Sequence, residues 1–84
     1  MDTATVTKVL TALLAAIRRG EVVFPSAQAL KGAEGAVEYI LGHPFALEIA
    51  AVAFQSGGAL LSFLAGRFGI PVSVIEAVLA DAGL

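Results

Sequence analysis

Residues 44–68 read PFALEIAAVAFQSGGALLSFLAGRF, and their only polar side chains are Glu48, Gln55, Ser56, Ser62 and Arg67. A run this apolar has no polar stripe to mark which side faces a core. A helix that is apolar on all sides belongs at the centre of a bundle or in lipid. The fold therefore turns on whether the run is one helix or two, and on what surrounds it. Gln55-Ser56-Gly57-Gly58 is the one place for a break, because Ser56 can cap a new helix by accepting a backbone N–H. One helix and two helices both remain open at this level. Either way, 44–68 is expected to be the most buried element, inside the protomer or at an interface.

The flanks are easier to read. In residues 3–19, Val6, Val9, Leu10, Leu13, Leu14 and Ile17 recur at helical spacing and draw one apolar stripe. Asp2 or Thr3 can cap its start, Arg18 and Arg19 suit its negative end, and Gly20 can supply a left-handed exit. Glu21-Val22-Val23-Phe24-Pro25 breaks the pattern and reads as an extended connector pinned to the core by its apolar residues. A second helix is expected over 25–41, with Pro25 in its first turn and Leu30, Ala33, Val37, Ile40 and Leu41 as its stripe. Gly32 and Gly35 each cost about 1 kcal/mol against Ala in a helix. Ala29, Gly32, Ala33 and Ala36 form a small-residue surface that lets another helix approach, which would offset that cost. Gly42-His43-Pro44 stops this helix, with Gly42 as its exit residue. Beyond the apolar run, Gly69-Ile70-Pro71 is a turn. A last short helix, begun by Pro71 or Ser73, carries Val74, Ile75, Val78 and Leu79, and Asp81-Ala82-Gly83-Leu84 ends it. These elements make an all-α, compact bundle of four or five short helices in one domain, 1–84.

Composition sets the functional question. Of 84 residues, 58% are hydrophobic, 14% are charged, and 23 carry a polar or charged side chain. About 25% charged is usual for a globular domain. Disorder is excluded, since it needs low hydrophobicity and high net charge. With no Cys there is neither a disulfide framework nor a Cys-ligated metal site. Five basic against seven acidic residues, a net charge of −2, argue against nucleic acid as the partner. A chain of this size buries roughly 60% of its unfolded surface. So little polar material favours a second hidden surface: another copy, a larger protein assembly, or a membrane. Met1-Asp2-Thr3 lacks the basic start of a signal peptide. A cytoplasmic or virion-associated protein is the expectation, with a membrane protein as the alternative.

The window Leu61–Ala80 resembles the helix-turn-helix family pattern. Ala65 is the small crossing residue, Gly69 the turn glycine, and Leu64, Phe68, Ile70, Ile75 and Val78 the apolar positions between the two helices. The resemblance covers about a quarter of the chain and implies a helical corner, with a helix-turn-helix DNA-binding regulator as an alternative function. In that family the start and outer face of the second helix read bases. Here those places hold Pro71, Val72, Ser73, Glu76, Ala77 and Ala80, with no Arg, Lys, Asn or Gln to pair with base edges.

A membrane segment over 44–66 would be long enough to span. However, Glu48 lies inside it, at a cost of about 3 kcal/mol near a helix centre, and Gln55-Ser56-Gly57-Gly58 sits at its middle. Glu48 is expected at the solvent edge or near the helix start, with an inter-subunit pairing to Arg18, Arg19 or Arg67 as the alternative. His43, the only histidine, reads as structural, with a local hydrogen bond. Ser26, Ser56, Ser62 and Ser73 have no base at recognisable spacing, and no phosphate loop, nucleophile elbow, cofactor motif or metal-ligand pattern is present. The expected function is non-enzymatic self-association, as a structural or adaptor subunit of a larger assembly such as a phage or other particle. The expected interface residues are Phe54, Leu60, Leu61, Phe63, Leu64 and Phe68.

Overall fold

The structure is a computed structural model, and it describes residues 1–81 and 83. The described residues form five helices: α1 (Thr3–Arg18), α2 (Ala27–Gly42), α3 (Pro44–Ala53), α4 (Gly57–Phe68) and α5 (Val72–Asp81). The all-α bundle is thus present. The radius of gyration, 11.5 Å, matches the about 12 Å of a compact chain of this length.

Helix α1 is the hub. It begins where Asp2 accepts the Thr5 N–H at 2.7 Å. It ends with Gly20 at φ +74°, where the Gly20 and Glu21 N–H groups donate back to the Ile17 and Ala16 carbonyls. Its buried residues are Val6, Val9, Leu10, Leu13, Leu14, Ala16 and Ile17. At 100° per residue they cover a sector of about 160°. A stripe that broad can meet several neighbours, and α1 packs against all four other helices. The expectation that 44–68 would be the most buried element is therefore corrected: α1 holds that place.

The connector after α1 alternates. Val22 is buried and Phe24 half-buried, while Val23 faces out, so only alternate residues pin it. Pro25 stands outside α2, not in its first turn as expected. Ser26 is the cap and accepts the Ala29 N–H at 3.1 Å. The Pro25 ring packs instead on the turn at Gly69, where a β-carbon would lie 3.0 Å from its Cγ. Ala33 and Val37 are the buried centre of α2, flanked by half-buried Leu30, Ile40 and Leu41. Gly32 makes room for Phe68, whose Cε1 would lie 3.3 Å from an added β-carbon, whereas Gly35 faces open space. The small surface on α2 is thus used at Gly32. Arg18 ties the end of α1 to α2 through Glu38 at 2.7 Å, with Glu34 at 4.0 Å.

Gly42 is not a left-handed exit; it stays within α2, and His43 takes an extended backbone at φ −125°, ψ 101°. The cause is Pro44, whose ring disfavours helical geometry in the preceding residue. The chain bends by 104° between α2 and α3. The run 44–68 proves to be two helices. Phe54 leaves α3 in extended geometry, and Ser56 caps α4 by accepting the Ala59 N–H at 3.1 Å. At 1.5 Å per residue the two helices are about 15 and 18 Å long, short of the ~30 Å hydrocarbon core. Among the described residues no single helix is long and apolar enough to cross a membrane.

The C-terminal corner follows the helix-turn-helix spacing. Gly69 has φ +76°, and the Gly69 and Ile70 N–H groups both donate to the Ala65 carbonyl, at 2.6 and 3.2 Å. Leu64, Ile70, Ile75 and Val78 are buried, with Phe68 half-buried. The Pro71 carbonyl starts α5 by accepting from Val74 and Ile75. The expected exit is described at Asp81, the last residue of α5, and at Gly83, with φ +79°. Ala82 and Leu84 lie outside the described residues.

Candidate functional site

Phe45, Ile49 and Val52 of α3 are 74%, 54% and 85% exposed. They follow one another at i, i+4 and i+7, so a helix places them within a sector of about 60°. Ala50 and Ala51, the buried residues of α3, lie on the opposite side with half-buried Leu47. The reason lies in the neighbours. Helix α3 packs on α1 and α2, and two alanines let it come close there, which turns its large side chains outward. Exposed Ala53 and half-buried Ala46 border the stripe on one edge, and exposed Glu48 borders it on the other. Glu48 is the fifth residue of α3, beyond the first turn, so it reaches solvent rather than serving the helix start.

The ends of α3 are held firmly enough to define this face. At its start, the His43 ring stacks on Tyr39 with centroids 4.0 Å apart, and its Nδ1–H donates to the Tyr39 carbonyl at 2.7 Å. This is the local structural role expected of the lone histidine. At its end, the Phe54 N–H donates to Ala50, and the Met1 nitrogen donates to the Ala51 and Phe54 carbonyls, each at 3.3 Å.

The six residues expected at an interface divide. Leu60, Leu61 and Leu64 are inside the protomer's own core, where α4 meets α1, α2 and α5. Phe54 and Phe68 are half-buried against that core. Phe63 alone is well exposed, at 56%, with its ring 5.4 Å from that of Phe54. The exposed stripe of Phe45, Ile49 and Val52 was not singled out in the sequence because the whole run is apolar. One signal was available. Glu48 had to face water, and Phe45 and Val52 stand at i−3 and i+4 from it, on the same side of a helix.

The other surfaces carry little chemistry. Pro71, Val72, Ser73, Glu76, Ala77 and Ala80, the outward places of the corner, are all exposed, and they present one carboxylate and no cation. An open groove between α1 and the end of α5 holds Lys8, Arg19 and Asp81 beside Thr7 and Thr11. Arg19 is engaged there by Glu21 at 2.7 Å, which raises the guanidinium above its usual value and lowers the carboxyl. No group of three or more metal-ligating side chains occurs among the described residues. No family model, curated protein or solved structure matches this chain.

Proposed function

We propose that this protein is a non-enzymatic, self-associating helical subunit, structural or adaptor in role, that works by hiding the outer face of α3 against another copy. The observation that carries this reading is the exposed stripe of Phe45, Ile49 and Val52. From their exposures and ordinary side-chain areas, the three present about 400 Å² of apolar surface. Patches of this size on a monomer are often functional.

The magnitudes favour association. Two such stripes hide about 800 Å², and a standard protein interface covers roughly 1,200–2,000 Å² in total. They would thus form the apolar centre, with Ala46, Ala53 and the stem of Glu48 as the rim. At 25 cal/mol per Å², the gain is about 20 kcal/mol before association costs of about 4–15 kcal/mol. The surplus, about 5–16 kcal/mol, corresponds to dissociation constants from about 0.2 mM down to the picomolar range, so the area favours association without fixing its strength. A bilayer surface is the less favoured occupant. Interfacial helices use basic residues beside the apolar face, and α3 has neither Lys nor Arg.

Sedimentation of the wild type and Ile49→Asp at concentrations up to roughly 1 mM, above the weakest Kd that this surplus allows, tests the reading. The wild type should sediment as an oligomer. Ile49→Asp should be monomeric with unchanged helix content, because the position already faces water. A monomeric wild type, or an Ile49→Asp protein that keeps its oligomer size, would overturn it. So would a monomer that floats with phosphatidylcholine vesicles.

A further inference from the structure

The order of side chains along the stripe says how two copies meet, given the reading above that α3 is the contact. Phe45 is the largest of the three and Val52 the smallest, with Ile49 midway. In a parallel pair, Phe45 would face Phe45 at one end and Val52 would face Val52 at the other. That forces the helices apart at the first layer and leaves a gap at the last. In an antiparallel pair, Phe45 of each copy meets Val52 of the other, and Ile49 meets its own counterpart at the centre. Both ends then have the same large-plus-small spacing, which close packing favours, and the two helix dipoles oppose one another.

We propose that α3 pairs antiparallel with α3 of a second copy about a two-fold axis at Ile49, bringing the two Glu48 carboxylates together on one rim. A two-fold axis across an antiparallel pair sets like edges of the two helices against each other. The Glu48 edge therefore meets the Glu48 edge, and the edge of Ala46 and Ala53 meets itself. Helix α3 carries no cation to separate the two carboxylates. They oppose pairing without abolishing it, so this surface associates in a salt-dependent, self-limited way. A parallel pair would instead set Glu48 beside the partner's Ala53, with no like-charge contact.

The charge at residue 48 distinguishes these arrangements. Uniformly labelled wild type and unlabelled Glu48→Lys are mixed at low salt, and the dimers are counted by native mass spectrometry. Heterodimers should clearly exceed the statistical half, and the excess should shrink as salt is added. Glu48→Gln alone should lower the dimer Kd about three-fold. A second measurement uses the absence of native cysteine. Under mild oxidation, a mixture of Phe45→Cys and Val52→Cys should yield the mixed disulfide in preference to either homodimer. Statistical mixing together with a self-linked Phe45→Cys dimer would overturn the antiparallel register while leaving the α3 contact standing. Loss of the contact itself would show as monomeric wild type in the sedimentation experiment.

Discussion

Helix α1 buries seven of its sixteen residues, whereas α3 buries two of its ten, although nine of those ten carry neither a charge nor a polar group. The two helices touch each other, so the difference does not come from being in separate parts of the molecule. It comes from phase and from neighbours. Helix α1 presents a broad stripe to four partners. Helix α3 has two partners and offers them Ala50, Ala51 and part of Leu47, which leaves Phe45, Ile49 and Val52 without cover. Apolar content thus says that a helix has something to hide, but the packing decides whether it hides it inside the chain.

Substitutions can break or sharpen this contrast. The largest effect is expected at Leu10, which is fully buried on α1. Leu10→Ala should cost about 2–5 kcal/mol, against a total stability of about 4–13 kcal/mol for 84 residues. Ile49→Ala on α3 should change protomer stability by no more than about 0.5 kcal/mol. Urea unfolding of both, at a concentration where the wild type is monomeric, checks this. Equal costs would mean that the α3 face is covered within the protomer, and the contrast would fail.

The same division between packed and open positions sorts the glycines. Gly69→Ala should cost about 1–2 kcal/mol, since φ +76° is unfavourable for an L side chain, and the added carbon would also press on Pro25. Gly35→Ala should stabilise by about 1 kcal/mol, because its β-carbon enters open space within a helix. Gly32→Ala should gain less, because Phe68 must move aside. Thermal melts of the three variants should rank Gly35→Ala above Gly32→Ala above Gly69→Ala.

The smallest effect concerns the helix starts. Asp2 caps α1, while His43 makes no side-chain cap at α3. The Thr5 side-chain and backbone hydrogen bonds hold the Asp2 carboxyl below its ordinary value of 3.8, and Arg19 likewise lowers Glu21 from 4.5. A carboxyl lowered on folding contributes stability above its unfolded value, and that contribution is lost as pH falls through the folded one. Stability should therefore decline below about pH 4, and less steeply in Asp2→Asn. A slope unchanged by Asp2→Asn would remove the cap as a charged contribution.

Much of the local structure was legible. The stripe on α1, the caps at Asp2 and Ser56, and the left-handed glycines at 20 and 69 each rest on interactions within a few residues, which the order of side chains specifies directly. The C-terminal corner was legible for the same reason: Ala65, Gly69 and Ile75 sit at spacings that one short turn dictates. Which apolar residues stay exposed on the protomer was read less well. Leu60, Leu61 and Leu64 are as apolar as Phe45, Ile49 and Val52, and apart from the helical spacing of Phe45 and Val52 from Glu48, nothing local separates residues destined for the core from residues left outside.

What the amino-acid order determined by itself is the all-α class, the stripe of α1, the place where 44–68 can break, and the glycine turns at 20 and 69, because those depend on backbone hydrogen bonds and conformational preferences over one or two turns. Only the tertiary structure decided that α1 rather than 44–68 is the hub, that Pro25 serves the Gly69 turn, and that α3 turns its alanines inward. Those outcomes depend on which surfaces can approach most closely across the bundle, and close approach is a property of pairs of helices that no single segment encodes.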